Sequence, residues 1–183
     1  MALFGRRVRL PAGLRALLAP DERVLAVAED GPAAVAATQF GLWLPVAEGP
    51  VADGAAPAGW RRIGWDQVVK ATWGEEGLQV IEGELDAGGV VTDRPARTLR
   101  LAEPRNLPAV VRTRVEASIA RWEQVRVPGG TARIVARRRA GTDGLIWTAR
   151  LDTGTPDSEA ARAALLDYLD RLTRSASEQP FLS

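Results

Sequence analysis

Residues 23–45, RVLAVAEDGPAAVAATQFGLWLP, and residues 107–122, LPAVVRTRVEASIARW, bound the most informative part of this chain. In the first, short apolar runs are broken at Asp30-Gly31-Pro32 and Phe40-Gly41, both turn signals, so residues 24–28, 34–38 and 42–46 read as three strands of a meander. In the second, Leu107, Val111, Val115, Ile119 and Trp122 recur at steps of three and four, the spacing of one apolar helix face, with Arg112, Arg114, Glu116 and Arg121 mainly elsewhere. Between them residues 60–64 read as a strand, 65–69 as a helical turn or tight bend, and 70–73 as another strand. Gly74-Glu75-Glu76-Gly77 reads as a hairpin turn, followed by strands at 78–82 and 98–101. Seven strands and a closing helix are the parts of a small antiparallel barrel or sandwich whose open end is plugged by that helix, with Trp122 buried in the plug. Residues 47–59, AEGPVADGAAPAG, form a long Gly/Pro-rich loop without periodicity, of a length reserved for function or disorder.

Upstream, residues 11–19 suit a short helix with Leu14, Leu17 and Leu18 on one side, ended by Pro20 and preceded by Arg6, Arg7 and Arg9. Such a basic amphipathic piece can lie on an anionic membrane, but one or two turns bury little apolar area, and packing on the chain's own body is the expected use. Downstream, Pro128-Gly129-Gly130 marks a break before strands at 131–139 and 145–151. Ala132, Ile134 and Ala136 share one side, where Leu145, Trp147, Ala149 and Leu151 can meet them, and Arg133, Arg137 and Arg139 point the other way. Thr155-Pro156-Asp157-Ser158-Glu159 starts a helix running to about residue 174, with Ala161, Leu165, Tyr168, Leu169 and Leu172 inward. The expected organisation is α+β: a basic segment at 1–20, a barrel or sandwich at 21–122, a ββα extension at 123–175 packed on or beside it, and a flexible tail at 176–183.

The 183 residues are 46% hydrophobic, enough to fill a core, and carry a net charge of +1, so nothing global demands a nucleic acid or membrane partner. The charge is uneven. Residues 1–20 hold four Arg and no acid, 21–122 hold eleven basic against fifteen acidic groups, and 123–183 hold nine against eight. The absence of Cys excludes disulfides and thiolate chemistry, and the absence of His excludes imidazole bases and ligands. Twenty-three Arg stand against a single Lys, the codon signature of a high-GC bacterial genome. No apolar run has signal-peptide or transmembrane length, so the expected location is cytoplasmic.

DERVLAVAED, AAVAATQFGLWLP, WRRIGWDQVVKATWGEEGLQV and VVRTRVEASIARW resemble the pleckstrin-homology-like (PH-like) domains of bacterial proteins of unknown function. Glu22-Arg23-Val24-Leu25-Ala26 resembles the opening of strand one in that group. The Thr38-x-x-Gly41-Leu42-Trp43 pattern resembles the hairpin of strands two and three, and Ile63-x-Trp65-x-x-Val68 the fourth strand and bend. The resemblance covers residues 21–122 and implies a seven-stranded, strongly bent antiparallel sheet with a C-terminal helix, but no ligand. Phosphoinositide-binding members place Lys and Arg around the first loop. Here that loop is Glu29-Asp30-Gly31-Pro32, which repels a phosphate.

Three clusters are candidates for chemistry. Arg133, Arg137, Arg138, Arg139 and Arg150 form the most concentrated basic patch, and a strand face of arginines can meet phosphates. With no aromatic residue interleaved, a solvated hairpin face, its arginines open to pairing with nearby acids, is the plainer reading. Glu75, Glu76, Glu82, Glu84 and Asp86 form an acidic run without the spacing of a known cation loop, so neither a metal site nor paired catalytic carboxylates is expected. The six Trp read as packing groups within elements rather than a ligand cage, although one of Trp43 and Trp60 can be exposed on a binding surface if they share a sheet face. The expected function is a non-enzymatic PH-like module without cofactor, binding a protein or peptide partner, or itself, through sheet edges, the 47–59 loop or the added hairpin and helix. The alternative is peripheral binding to anionic lipid or nucleic acid through Arg6, Arg7, Arg9, Arg133, Arg137, Arg139 and Arg150, with no specific nucleic acid recognised.

Overall fold

The computed structural model describes residues 10, 11, 13–30, 33–46, 59–101 and 103–178. Arg6, Arg7 and Arg9, the tip of the first loop, and nearly all of the 47–59 loop lie outside them. Strands β1 (Val24–Asp30), β2 (Ala33–Thr38), β3 (Gly41–Val46) and β4 (Gly59–Gly64) form an antiparallel meander. One 3-10 turn, Trp65–Gln67, turns the chain into a second antiparallel sheet of β5 (Val68–Gly74), β6 (Gly77–Leu85), β7 (Val91–Asp93) and β8 (Arg97–Leu99). Here β6 pairs with β8 along its first half and with β7 along its second. Helix α1 (Leu107–Ser118) packs between these sheets, burying Leu107 and Val111 among Ala26, Val35, Leu42, Val68 and Leu78. A third antiparallel sheet holds β9 (Ile119–Val127), β10 (Gly130–Arg137) and β11 (Ile146–Leu151), and α2 (Glu159–Glu178) covers one face of it.

The α+β class holds, but the sheets do not close into a barrel, and the strand count before α1 is eight among the described residues. Three expectations need correction. The closing helix ends at Ser118, and the chain passes directly into β9, so Trp122 is a strand residue that is 60% exposed. The apolar spacing through Ile119 and Trp122 imitates another helical turn, yet Val125 and Val127 alternate with polar neighbours ahead of the Pro128-Gly129 turn, and a hairpin needs a strand on both sides of its turn. Near residue 14 there is only a 3-10 turn, Leu14–Leu17, in which Leu14 is buried against Trp43 and Val27 while Leu17 is exposed. The final helix begins at Glu159, capped by Ser158, whose Oγ accepts the amide of Ala161 at 3.2 Å, and it continues through Glu178. Thr155 instead bonds both backbone groups of Thr131 at the start of β10.

Glu22, Thr38, Gly41, Trp43 and Trp65 meet at one corner. The buried Glu22 carboxylate accepts from Thr38 Oγ1 at 2.6 Å, Trp43 Nε1 at 2.8 Å and Arg62 Nη1 at 3.0 Å. Thr38 Oγ1 accepts from the Gly41 amide at 3.2 Å, and the carbonyl of Thr38 accepts from Trp65 Nε1 at 3.1 Å. Gly41 has no alternative, since a Cβ there would stand 2.3 Å from the carbonyl oxygen of Ile63. Burial by itself raises the pKa of Glu22, but the Thr38, Trp43 and Ala19 donors and the Arg62 charge together hold it below the ordinary value of 4.5.

The third sheet is fastened to the second at two levels. Val90 pairs in parallel with Ala149 and is buried in the α2 core, and the Ala149 amide donates to the Gly89 carbonyl at 3.0 Å. Asp86 shapes this turn by accepting the amides of Gly88 and Val90, each at 2.9 Å, and also accepts Arg162 of α2 at 2.8 Å.

Candidate functional site

The two faces of the third sheet have opposite chemistry. In the rows facing α2, Ala132 stands between Val125 and Leu151, and Ile134 between Glu123 and Ala149. The other face has three rows that cross all three strands, beyond the Thr131 and Arg126 pair. Gln124, Arg133 and Arg150 make one, Trp122, Val135 and Thr148 the next, and Ile119, Arg137 and Ile146 the third. The alternation of alanines and arginines along β10 is therefore a division between core and surface, as strand parity requires.

The arginine face does not simply meet solvent. It forms one wall of a cleft of about 430 Å³, with Val69, Gly83, Leu85 and Val91 of the second sheet opposite, and Asp66 and Asp152 toward the two ends. Arg133, Arg139 and Arg150 are nonetheless exposed, and Arg139 and Arg150 pair with acids, as a solvated hairpin face paired with nearby acids implies; Arg137 is the member that departs from it. Arg137 is only 8% exposed, and its Nη1 donates to Ser118 Oγ at 2.9 Å, so the arginine also braces the α1–β9 junction. Burial pushes its pKa down, against the nearby Asp66 charge, without threatening its protonation. The expectation that no aromatic residue is interleaved is also overturned. Trp122 stands in the middle row, and the Arg133 guanidinium lies 5.2 Å from the centroid of its ring.

The four arginines are not equivalent. Arg139 is paired with Asp66 at 3.0 Å and Arg150 with Asp93 at 2.5 Å, across the junction between the sheets. Arg133 and Arg137 form no ion pair among the described residues, so the cleft holds two positive charges not directly paired with carboxylates. Asp152 accepts from Gln124 at 2.7 Å and Thr131 at 2.8 Å, and these bonds, with the Arg133 and Arg150 charges, outweigh burial and keep its pKa low. Arg138 lies off the cleft and donates to the Ala117 carbonyl at 3.4 Å.

Three members of the acidic run are drawn into ion pairs. Glu82 holds Arg61 with two 2.7 Å bonds, Glu84 faces Arg94 at 3.4 Å, and Asp86 is taken by Arg162. Among the described residues no group of three or more Asp or Glu side chains converges as a cation site. Of the six Trp, Trp43 and Trp65 are buried, and Trp60 and Trp147 are partly so. Trp73 and Trp122 are the exposed ones, whereas Trp43 and Trp60, packed in one cluster, are not. No helix among the described residues is long and apolar enough to cross a membrane. Comparison with family models, curated proteins and solved structures finds no match.

Proposed function

We propose that the protein is a non-enzymatic binding module, PH-like in its first two sheets and α1, whose cleft between the second and third sheets takes an acidic segment of a partner protein. The observation that carries this reading is the pair Arg133 and Arg137, both without a carboxylate partner among the described residues, on a wall that also presents Trp122 and Val135. Charge with adjacent apolar and aromatic surface is the composition of an anchor site for peptides. The convergence of the Glu22, Thr38, Gly41, Trp43 and Trp65 pattern on one bonded corner supports the PH-like part.

Interleaving of Trp122 among arginines favours single-stranded nucleic acid as a second reading. Asp66 and Asp152 within the cleft weigh against it, because a polyanion would meet them wherever it followed the wall. The test is titration of the full chain with acidic peptides and with oligonucleotides at physiological salt, followed by Trp fluorescence. Binding of acidic peptides that Arg133→Glu abolishes is the expected result. Oligonucleotide binding that persists at that salt while acidic peptides fail to bind would replace the peptide reading.

A further inference from the structure

The dimensions of the cleft narrow its occupant further, on the basis of the peptide reading above. From Arg133 to Arg137 the wall covers four residues of β10, about 13 Å at ordinary strand rise, and Arg139 lies just beyond the strand. One extended chain, open to solvent along its outer side, matches the rise and the side-chain parity of this wall. The cleft follows β10 and runs on past its end, for Asp152 and Thr153 line it beside Arg133, and Asp66 and Gln67 line it beside Arg139.

The spacing of the charges then sets the spacing in the ligand. Arg133 and Arg137 lie four residues apart on one face of β10, about 13 Å, and the row between them is Trp122, Val135 and Thr148. An extended peptide has the same rise, and its residues i, i+2 and i+4 also share one face. We infer that the cleft selects an extended segment with acidic side chains at positions i and i+4 and an apolar side chain at i+2. The two acids lie over Arg133 and Arg137, and the apolar group lies over Val135 against the Trp122 ring. Arg139 and Arg150, engaged by Asp66 and Asp93, serve as fixed rims.

Two synthetic nonapeptides of identical composition test this against the full-length protein. One carries two glutamates four positions apart with a leucine midway between them, and the other carries the two glutamates side by side. Calorimetry should show the spaced peptide binding about tenfold tighter, the worth of one charge-assisted contact. Arg133→Ala should remove that preference. In a series of spaced peptides with either glutamate changed to glutamine, one of the two changes should cancel the effect of Arg133→Ala. Arg133 is not in the core, and circular dichroism of the variant checks that it folds. Equal affinity for the two isomers would overturn the register while leaving acidic-peptide binding intact. Failure of both peptides alongside oligonucleotide binding would overturn the peptide reading itself.

Discussion

At the level of single residues, Glu22 is the most consequential polar group, since it satisfies Thr38, Trp43 and Arg62 at once. Glu22→Ala should cost about 3 kcal/mol, because it strands a buried indole donor and leaves the buried Thr38 hydroxyl only the longer bond to the Gly41 carbonyl; the attraction to Arg62, whose side chain is 41% exposed, is screened and adds little. Since the folded-state pKa of Glu22 is depressed, its stabilising contribution is complete above the unfolded value, near 4.5, and is lost as pH falls through the folded value. Glu22→Gln should therefore be less stable than the native protein at neutral pH and show a flatter decline below about pH 4.5. Urea unfolding midpoints across that range check both statements, and a native-like acid slope in Glu22→Gln would remove Glu22 from this role.

Among the elements, β9 most alters what the chain can do. A Trp122 packed inside a helical plug would cost roughly 3–5 kcal/mol on truncation, but an exposed strand residue costs within about 1 kcal/mol. Trp122→Ala is expected to leave the thermal midpoint nearly unchanged while weakening acidic-peptide binding. A large drop in stability would return Trp122 to the core. The strands and helices are legible in the sequence to different degrees for physical reasons. The turns at Phe40-Gly41 and Gly74–Gly77, and the parity of Ala132, Ile134 and Ala136, are local signals, and the pairings follow them. Helical spacing from Leu107 through Trp122 outweighs the two-residue alternation that follows, so β9 is hidden, and with it the aromatic member of the cleft. No local pattern can announce Asp66 opposite Arg139 or Asp93 opposite Arg150, because sequence separation conceals such pairs until the sheets are packed. The arginines themselves are visible in the sequence, and their common wall is not.

For the whole molecule, two main cores share one framework. Leu107 anchors the core under α1 and Ile134 the core under α2, while Val90, from the second sheet's own turn, is buried in the latter. Leu107→Ala and Ile134→Ala should each cost about 2–5 kcal/mol. Both are expected to lower one common transition, with far-ultraviolet circular dichroism and Trp fluorescence coinciding. Two separated transitions in either variant would show that the cores unfold independently. The passage from Ser118 to Ile119 without a connecting loop also bears on how such a chain can change over generations. Recombination favours seams where a gene can be cut and rejoined without disturbing a folded unit. Here a cut between residues 122 and 123 divides a strand, and one added residue at 118 would rotate the helix or invert the sheet face that carries the arginines. The first two sheets and the cleft wall are thus constrained to be inherited together, with variation directed to side chains on the wall rather than to the length of chain between its supports.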